Sequence, residues 1–193
     1  MAIERGDFHQ CVPVITVVVD GGKSKWCHKH SYNAKSGVAV IFGQRTKKLL
    51  FVGVRNKYCA VCSVSEKQEK EPPEHRCYRN WSGSSAAMES DIVLEGFRLS
   101  EQTHGIRYMR IIGDGNSSVM ATLQQSVVYG PFIQKIECAN HACKGYRSRL
   151  EKLAADHPEF RGRGGLTKRA MQRLTVGACV AIRMHSETQY TTA

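Results

Sequence analysis

Residues 14–22 read Val-Ile-Thr-Val-Val-Val-Asp-Gly-Gly, and residues 108–118 read Tyr-Met-Arg-Ile-Ile-Gly-Asp-Gly-Asn-Ser-Ser. Each is an apolar run, rich in β-branched residues, that reads as a largely covered strand. Each ends in an aspartate followed by glycine. A carboxylate at such a tip is held rigidly, and the glycine lets another group come close to the backbone. Asp20 and Asp114 on neighbouring strands would make an oxygen-rich site suited to Mg²⁺ (or Mn²⁺), the layout of two-metal phosphodiester chemistry. Asp-Gly also begins ordinary turns, and either aspartate taken alone reads that way.

Working outward, strands are expected over residues 13–20, 36–44 and 48–54, joined by short polar links as an antiparallel meander. Residues 57–83 are polar, carry Pro72-Pro73 and form an insertion rather than a core element. A helix is expected over 84–103, capped by Ser84 or Ser85, with Met88, Ile92, Phe97 and Leu99 on its apolar side. A fourth strand over 107–113, a short helix over 117–126 and a fifth strand over 132–137 follow. A basic helix over 142–155 and a last helix over 167–185 complete the chain. The fold class is therefore α/β, a five-stranded mixed sheet with flanking helices in the ribonuclease-H-like order. In that order strands one and four are neighbours, so Asp20 and Asp114 converge.

The bulk properties bound the class. The 193 residues, 41% of them hydrophobic, suit one domain or one domain plus a piece of another, with a real core. No apolar run approaches the roughly 20 residues of a membrane span, so no membrane partner is expected. The start, Met-Ala-Ile-Glu-Arg-Gly-Asp, lacks an apolar signal core, which argues for an intracellular protein. The formal net charge of +11 points to a polyanion, most often nucleic acid. Nine cations, Lys144, Arg147, Arg149, Lys152, Arg161, Arg163, Lys168, Arg169 and Arg173, stand against three acidic residues between 144 and 173. They are the candidate DNA contacts; a solvated basic helix face is the plain alternative.

Eight cysteines in a chain without a signal core favour metal over disulfides. Cys59-Ala-Val-Cys62 followed by His75-Arg-Cys77 offers three thiolates and an imidazole, a set suited to tetrahedral Zn²⁺. Metal would give this core-less loop a reason to be ordered. Cys138-Ala-Asn-His141 is a second Cys–His pair, read equally as a helix-start pair or as two metal ligands. Cys11, Cys27, Cys143 and Cys179 have no evident partners and read as ordinary small side chains.

Several long motifs occur in order. They are Val-Val-Val-Asp20-Gly, His30-Ser-Tyr-Asn-Ala-Lys-Ser-Gly-Val-Ala-Val, Phe51-Val-Gly-Val-Arg-Asn-Lys-Tyr-Cys59-Ala-Val-Cys62, Asn80-Trp-Ser-Gly-Ser-Ser-Ala-Ala-Met-Glu89-Ser-Asp, Ile112-Gly-Asp114-Gly-Asn-Ser-Ser and Ile136-Glu-Cys-Ala-Asn-His141. Over about residues 12–155 the chain resembles the Mutator-like transposase domain of animal proteins. The resemblance implies a DNA transposition function in the nucleus, with transposon ends in double-stranded DNA as partner. It implies that Asp20 and Asp114 are the first two members of an Asp-Asp-Glu triad, with Cys138 and His141 as the Cys-x-x-His signature after the second. It places a core at 12–155, carrying the zinc loop at 57–83, and a helical extension at 156–193. Relatives carry the third carboxylate after a helical insertion, so it is expected outside this chain, with Glu151 as the in-chain candidate. They also carry an aromatic residue where this chain has Lys23. Two rivals stand beside a transposase core: a DNA-binding protein without chemistry on the same fold, and a zinc-stabilised interaction module. A homo-oligomer is left open.

Overall fold

A computed structural model describes residues 6–24, 34–113, 117–162 and 164–188. The chain divides into two compact units, residues 1–136 and 137–193.

The first unit is built on a six-stranded mixed sheet, not five. β1 (Phe8–His9) pairs with the start of β2 (Val12–Lys23). β3 (Ser36–Gly43) and β4 (Leu49–Asn56) complete an antiparallel meander. The chain then forms α1 (Ala60–Lys67), α2 (Met88–His104), β5 (Arg107–Gly113), α3 (Ser117–Ser126) and β6 (Gln134–Glu137). The strand order is β4-β3-β2-β5-β6, with β1 on β2, and β5 runs parallel to β2. The two strands read as neighbours are neighbours, with Val18 opposite Ile112.

The alternation along β2 and β3 decides what covers the sheet. Val17, Val19, Ala39 and Ile41 point to one face and are buried there under α2. α2 contributes Ile92, Val93 and Phe97, all fully buried, while Leu99 is only half-buried. A narrow helix surface lets it lie close: a Cβ on Gly96 would come within 2.6 Å of Ile41 Cδ1 and 2.7 Å of Phe51 Cδ1. The other face keeps Val38, Val52 and Val54 exposed.

Two arginines clamp α2 from outside the core. Arg55 at the end of β4 donates to Asp91 at 2.6 Å and Glu95 at 2.5 Å, carboxylates one helical turn apart. Arg107 at the start of β5 donates to Glu101 at 2.6 Å and reaches Gln10 Oε1 at 3.0 Å, which ties the β1 hairpin to the helix end. α2 begins at Met88 rather than Ser84. Ser84 Oγ accepts the Ala87 N–H at 3.2 Å in a turn, and Ser85 donates instead to the Ala34 carbonyl at 2.8 Å.

One core group is unpaired. The Tyr108 hydroxyl is buried with no hydrogen-bond partner among the described residues, and burial pushes its pKa up to about 12. An unmet buried hydroxyl costs about 1–3 kcal/mol. Tyr108→Phe is therefore expected to raise stability by about 1 kcal/mol in urea titration, and a loss of that size would show that the hydroxyl has a partner.

The second unit is helical. α4 (Ala139–Asp156) packs on α5 (Lys168–Thr188). Cys143 and Cys179, read from the sequence as unpartnered, join these helices as a disulfide with Cα atoms 5.7 Å apart. α4 starts at Ala139, three residues before the expected start, so Cys138 is its N-cap residue and His141 lies in its first turn. No helix among the described residues is long and apolar enough to cross a membrane.

Candidate functional site

The first site is the loop between β4 and α2. Its ends are pinned at one point. Asn80 Oδ1 accepts the Asn56 N–H at 2.6 Å, Asn80 Nδ2 donates to the Val54 carbonyl at 2.9 Å, and the Asn80 N–H donates to the Asn56 carbonyl at 2.9 Å. Within the loop, α1 was not expected from the sequence. Cys59 is its N-cap residue and Cys62 lies one turn later, so the helical turn itself brings the two sulfurs to one side.

His75 and Cys77 return to meet them. His75 Nε2 lies 3.3 Å from Cys59 Sγ and 3.4 Å from Cys62 Sγ, and Cys62 Sγ lies 3.6 Å from Cys77 Sγ. All four ligand atoms fall within 4.8 Å of one another. With Zn–S near 2.3 Å and Zn–N near 2.0–2.1 Å, the edges of a tetrahedron are about 3.5–3.8 Å, so the quartet fits such an ion. His75 Nδ1 donates to the Pro73 carbonyl at 2.7 Å, which fixes the tautomer with Nε2 bare and facing the sulfurs. The Cys3His cluster can hold a metal ion such as zinc.

The electrostatics of the cluster agree with that chemistry. The Cys59 thiol is drawn down to about 6, first by the hydrogen bond from the Cys62 N–H and then by His75 and Cys62. The Cys62 thiol is pushed up to about 11, first by desolvation and then by the Cys77 and Cys59 sulfurs. His75 is raised, chiefly by its bond to the Pro73 carbonyl. The sulfurs and the imidazole thus perturb one another directly. Among the described residues this is the only group of three or more His, Cys, Asp or Glu able to hold a metal, so Cys138 and His141 do not gather a third such ligand.

The second site lies where β5 leaves β2. The last described pair is Val18 with Ile112, and a Cβ on Gly113 would stand 3.5 Å from the Val19 carbonyl. Asp20 follows on β2, exposed, on the face opposite α2, with Val40 as its cross-strand partner on β3. It has no hydrogen bond or ion pair with another described residue. Asp114 lies outside the described residues. A cavity of about 20 Å³, room for one water, opens beside these strand ends. It is lined by Val19, Glu89, Ile111, Gly113 and Lys135 together with residues of α3.

In the second unit Lys144, Arg147, Arg149, Lys152, Lys168, Arg169 and Arg173 are exposed on α4 and α5. Arg161 is also exposed, but its guanidinium donates to the Ala154 and Ala155 carbonyls and so closes the end of α4. Arg163 lies outside the described residues. Glu151 is held by Arg147 at 2.9 Å, one turn away on the same helix.

A model of the Mutator-like transposase family matches residues 1–191. No curated protein and no solved structure matches the chain.

Proposed function

The chain belongs to the Mutator-like transposase family, and from that premise we propose that its first unit is a ribonuclease-H-like core for Mg²⁺-dependent hydrolysis and strand transfer of DNA phosphodiesters. The observation that carries the reading is the position of Asp20. β2 and β5 lie parallel and adjacent while β3 and β6 lie to opposite sides of them. Ligands of open α/β sheets bind beyond the carboxyl ends of strands at such a reversal. Asp20 stands within β2 just past its last described pair with β5, three residues before β2 ends, with no neutralising partner among the described residues. Asp114 is bonded to Gly113, the last residue of β5.

The donor set fits a hard cation, because it consists of carboxylate oxygens. Asp20 and Asp114 are the proposed ligands, and they do not act as a general acid–base pair. Bound there, a Mg²⁺ pair supplies Lewis-acid activation of the attacking oxygen and stabilises the charge on the leaving one. The carboxylates fix where the scissile phosphate must sit, and the exposed cations of α4 and α5 supply phosphate contacts that do not depend on base sequence. Transposon ends in nuclear DNA are the proposed substrate.

A second reading, DNA binding without chemistry, draws support from Glu151, whose carboxylate is engaged by Arg147. The two readings separate in a Mg²⁺-dependent nicking assay on double-stranded DNA beside an Asp114→Ala control. Nicking that disappears in the control supports the first, and salt-sensitive binding without nicking supports the second. Binding should fall steeply with salt. Charge reversal of Arg147 and Arg149 should weaken it further and make log affinity less steep against log salt, by about 1 for each phosphate these side chains neutralise. Binding indifferent to salt would remove both readings and leave the zinc-stabilised module.

A further inference from the structure

We propose that the surface gathered around Asn56, at the mouth of the cysteine loop, binds unpaired bases of a DNA strand by stacking them on Tyr58 and Tyr78; this rests on the DNA partner proposed above and not on the chemistry at Asp20. The first observation is how much aromatic side chain one residue collects. Asn56 ends β4. Its Nδ2 donates to the Tyr58 carbonyl at 2.9 Å and to the Tyr78 carbonyl at 3.3 Å. Its own carbonyl accepts the Trp81 N–H at 3.1 Å. Both ends of the loop thus bring their aromatic residues to one strand end. Tyr58 precedes Cys59 and Tyr78 follows Cys77, so closure of the cysteine quartet also sets where both tyrosines stand.

The second observation is a cation at each ring. Lys35 Nζ lies 3.9 Å from the Tyr58 ring centroid, Arg76 Cζ 5.1 Å from that of Tyr78 and Arg55 Cζ 6.0 Å from that of Trp81. Lys57 adds a further charge beside Lys35, to whose carbonyl its N–H donates at 2.8 Å. A cation over a ring covers one face and leaves the other, and Tyr58 and Tyr78 are 41% and 62% exposed. Exposed rings with cations beside them are what holds a single strand, since every base has a π-face to stack and every nucleotide a phosphate to neutralise. Trp81 is half-buried and its indole N–H is spent on the Ser84 carbonyl at 3.0 Å, so it supports this surface from below. Three of the loop's four glutamates keep away from it: Glu66 lies in the last turn of α1 and Glu69 and Glu71 follow, at the opposite end of that helix from Tyr58.

The third observation is place. Lys23 pairs with Gly37 and Gly37 with Arg55, so the aromatic surface stands at the end of the sheet towards which β2 carries Asp20. Two strand spacings across and four residues along separate Asp20 from Asn56, roughly 16 Å, which a strand of a few nucleotides spans. The plain alternative is that Lys35 and Arg76 merely shield two surface tyrosines. In that case the rings would contribute nothing to nucleic-acid affinity.

The test uses the full chain with its cysteine site loaded with zinc. The probe is a fluorescent oligothymidine of about 12 nucleotides, within the site sizes of single-strand binders, followed by anisotropy beside a duplex and an abasic strand of the same length. Tyr58→Leu and Tyr78→Leu should each weaken oligothymidine binding about 10-fold, the scale of one lost base stack. Tyr58→Phe and Tyr78→Phe, which keep the ring, should bind as the wild type does. Duplex affinity should be the same in all four variants, and the abasic strand, with its phosphates intact, should bind the wild type weakly. Zinc content and thermal melting report whether each variant is folded; should a leucine variant lose its zinc, the abasic strand decides the matter with the wild-type chain. Wild-type affinity in both leucine variants, or an abasic strand held as tightly as oligothymidine, overturns the stacking role. A chain that binds the duplex but no single strand overturns this proposal alone, and tighter binding of oligouridine than of oligothymidine overturns its assignment to DNA. A chain that binds neither form of DNA overturns the DNA reading and this proposal with it.

Discussion

Metal analysis of the purified protein is expected to return one zinc per chain, and removing it is expected to unfold the loop between Lys57 and Tyr78 while the sheet keeps its cooperative melt. The loop places only Cys62 and Ser65 in a buried environment, so it has no apolar core of its own. The sheet has one, from Val17 to Ile133. Zinc in finger peptides contributes on the order of 10–16 kcal/mol near neutral pH, far more than the loop's exposed Arg79–Glu66 pair at 2.7 Å could replace. Cys62→Ser should therefore act like chelation. The sign with pH follows from the thiols. Cys59, drawn down to about 6, is already a thiolate at pH 7, whereas Cys62, pushed up to about 11, must lose a proton to bind. His75, also raised, must be neutral to ligate. Affinity should thus rise with pH through neutrality, with proton release visible as a dependence of the calorimetric heat on buffer. A zinc-free protein whose loop resists proteolysis as well as the sheet does would overturn this account.

Phe97→Ala is expected to cost about 3–5 kcal/mol, read from the shift of the urea midpoint at constant slope. Phe97 is fully buried and meets Tyr108 edge-to-face with ring centroids 5.2 Å apart. Such a ring pair adds about 0.5–1.5 kcal/mol beyond burial, and a domain of this kind holds about 5–15 kcal/mol in all. The substitution thus removes a large share of the stability. The backbone carbonyl of Phe97 also accepts from Ser100 Oγ at 2.8 Å and from the Tyr129 hydroxyl at 3.0 Å. Those bonds survive the substitution, so the loss measures the ring. Leu99→Ala, at a half-buried position on the same helix, is the internal control and should cost clearly less. Equal losses at both positions would mean that α2 does not present Phe97 to the sheet.

What the sequence made legible depended on how local the signal was. β5 begins and ends where expected, at Arg107 and Gly113, because an apolar run between glycines leaves little choice. The zinc quartet was readable because two thiolates separated by two residues and a His-x-Cys pair carry their chemistry in their spacing, and the geometry brings all four together. α1 was missed because Ala-Val-Cys-Ser-Val-Ser-Glu-Lys is only eight residues long, too short for its period to stand out within a polar stretch read as an insertion. β1 is two residues long and is a strand only because β2 offers it partners. Cys143 and Cys179 obey no spacing rule, since their meeting depends on how α4 packs on α5. Asp114, the other half of the opening signal, lies outside the described residues.

Asn80 has a consequence for the company this sheet can keep. β4 is the last strand on its side, and a last strand offers its free amides and carbonyls to any extended chain that comes alongside. With Leu49, Val52 and Val54 exposed, β4 would be an inviting template for a foreign strand. Asn80 takes the Asn56 amide and donates to the Val54 carbonyl, and its own amide, with that of Trp81, fills the Asn56 carbonyl. One asparagine thus imitates the neighbour that β4 lacks and blunts that end of the edge, so that strand addition finds no ladder to extend there. The residue that closes the cysteine loop is also a guard against edge-to-edge aggregation.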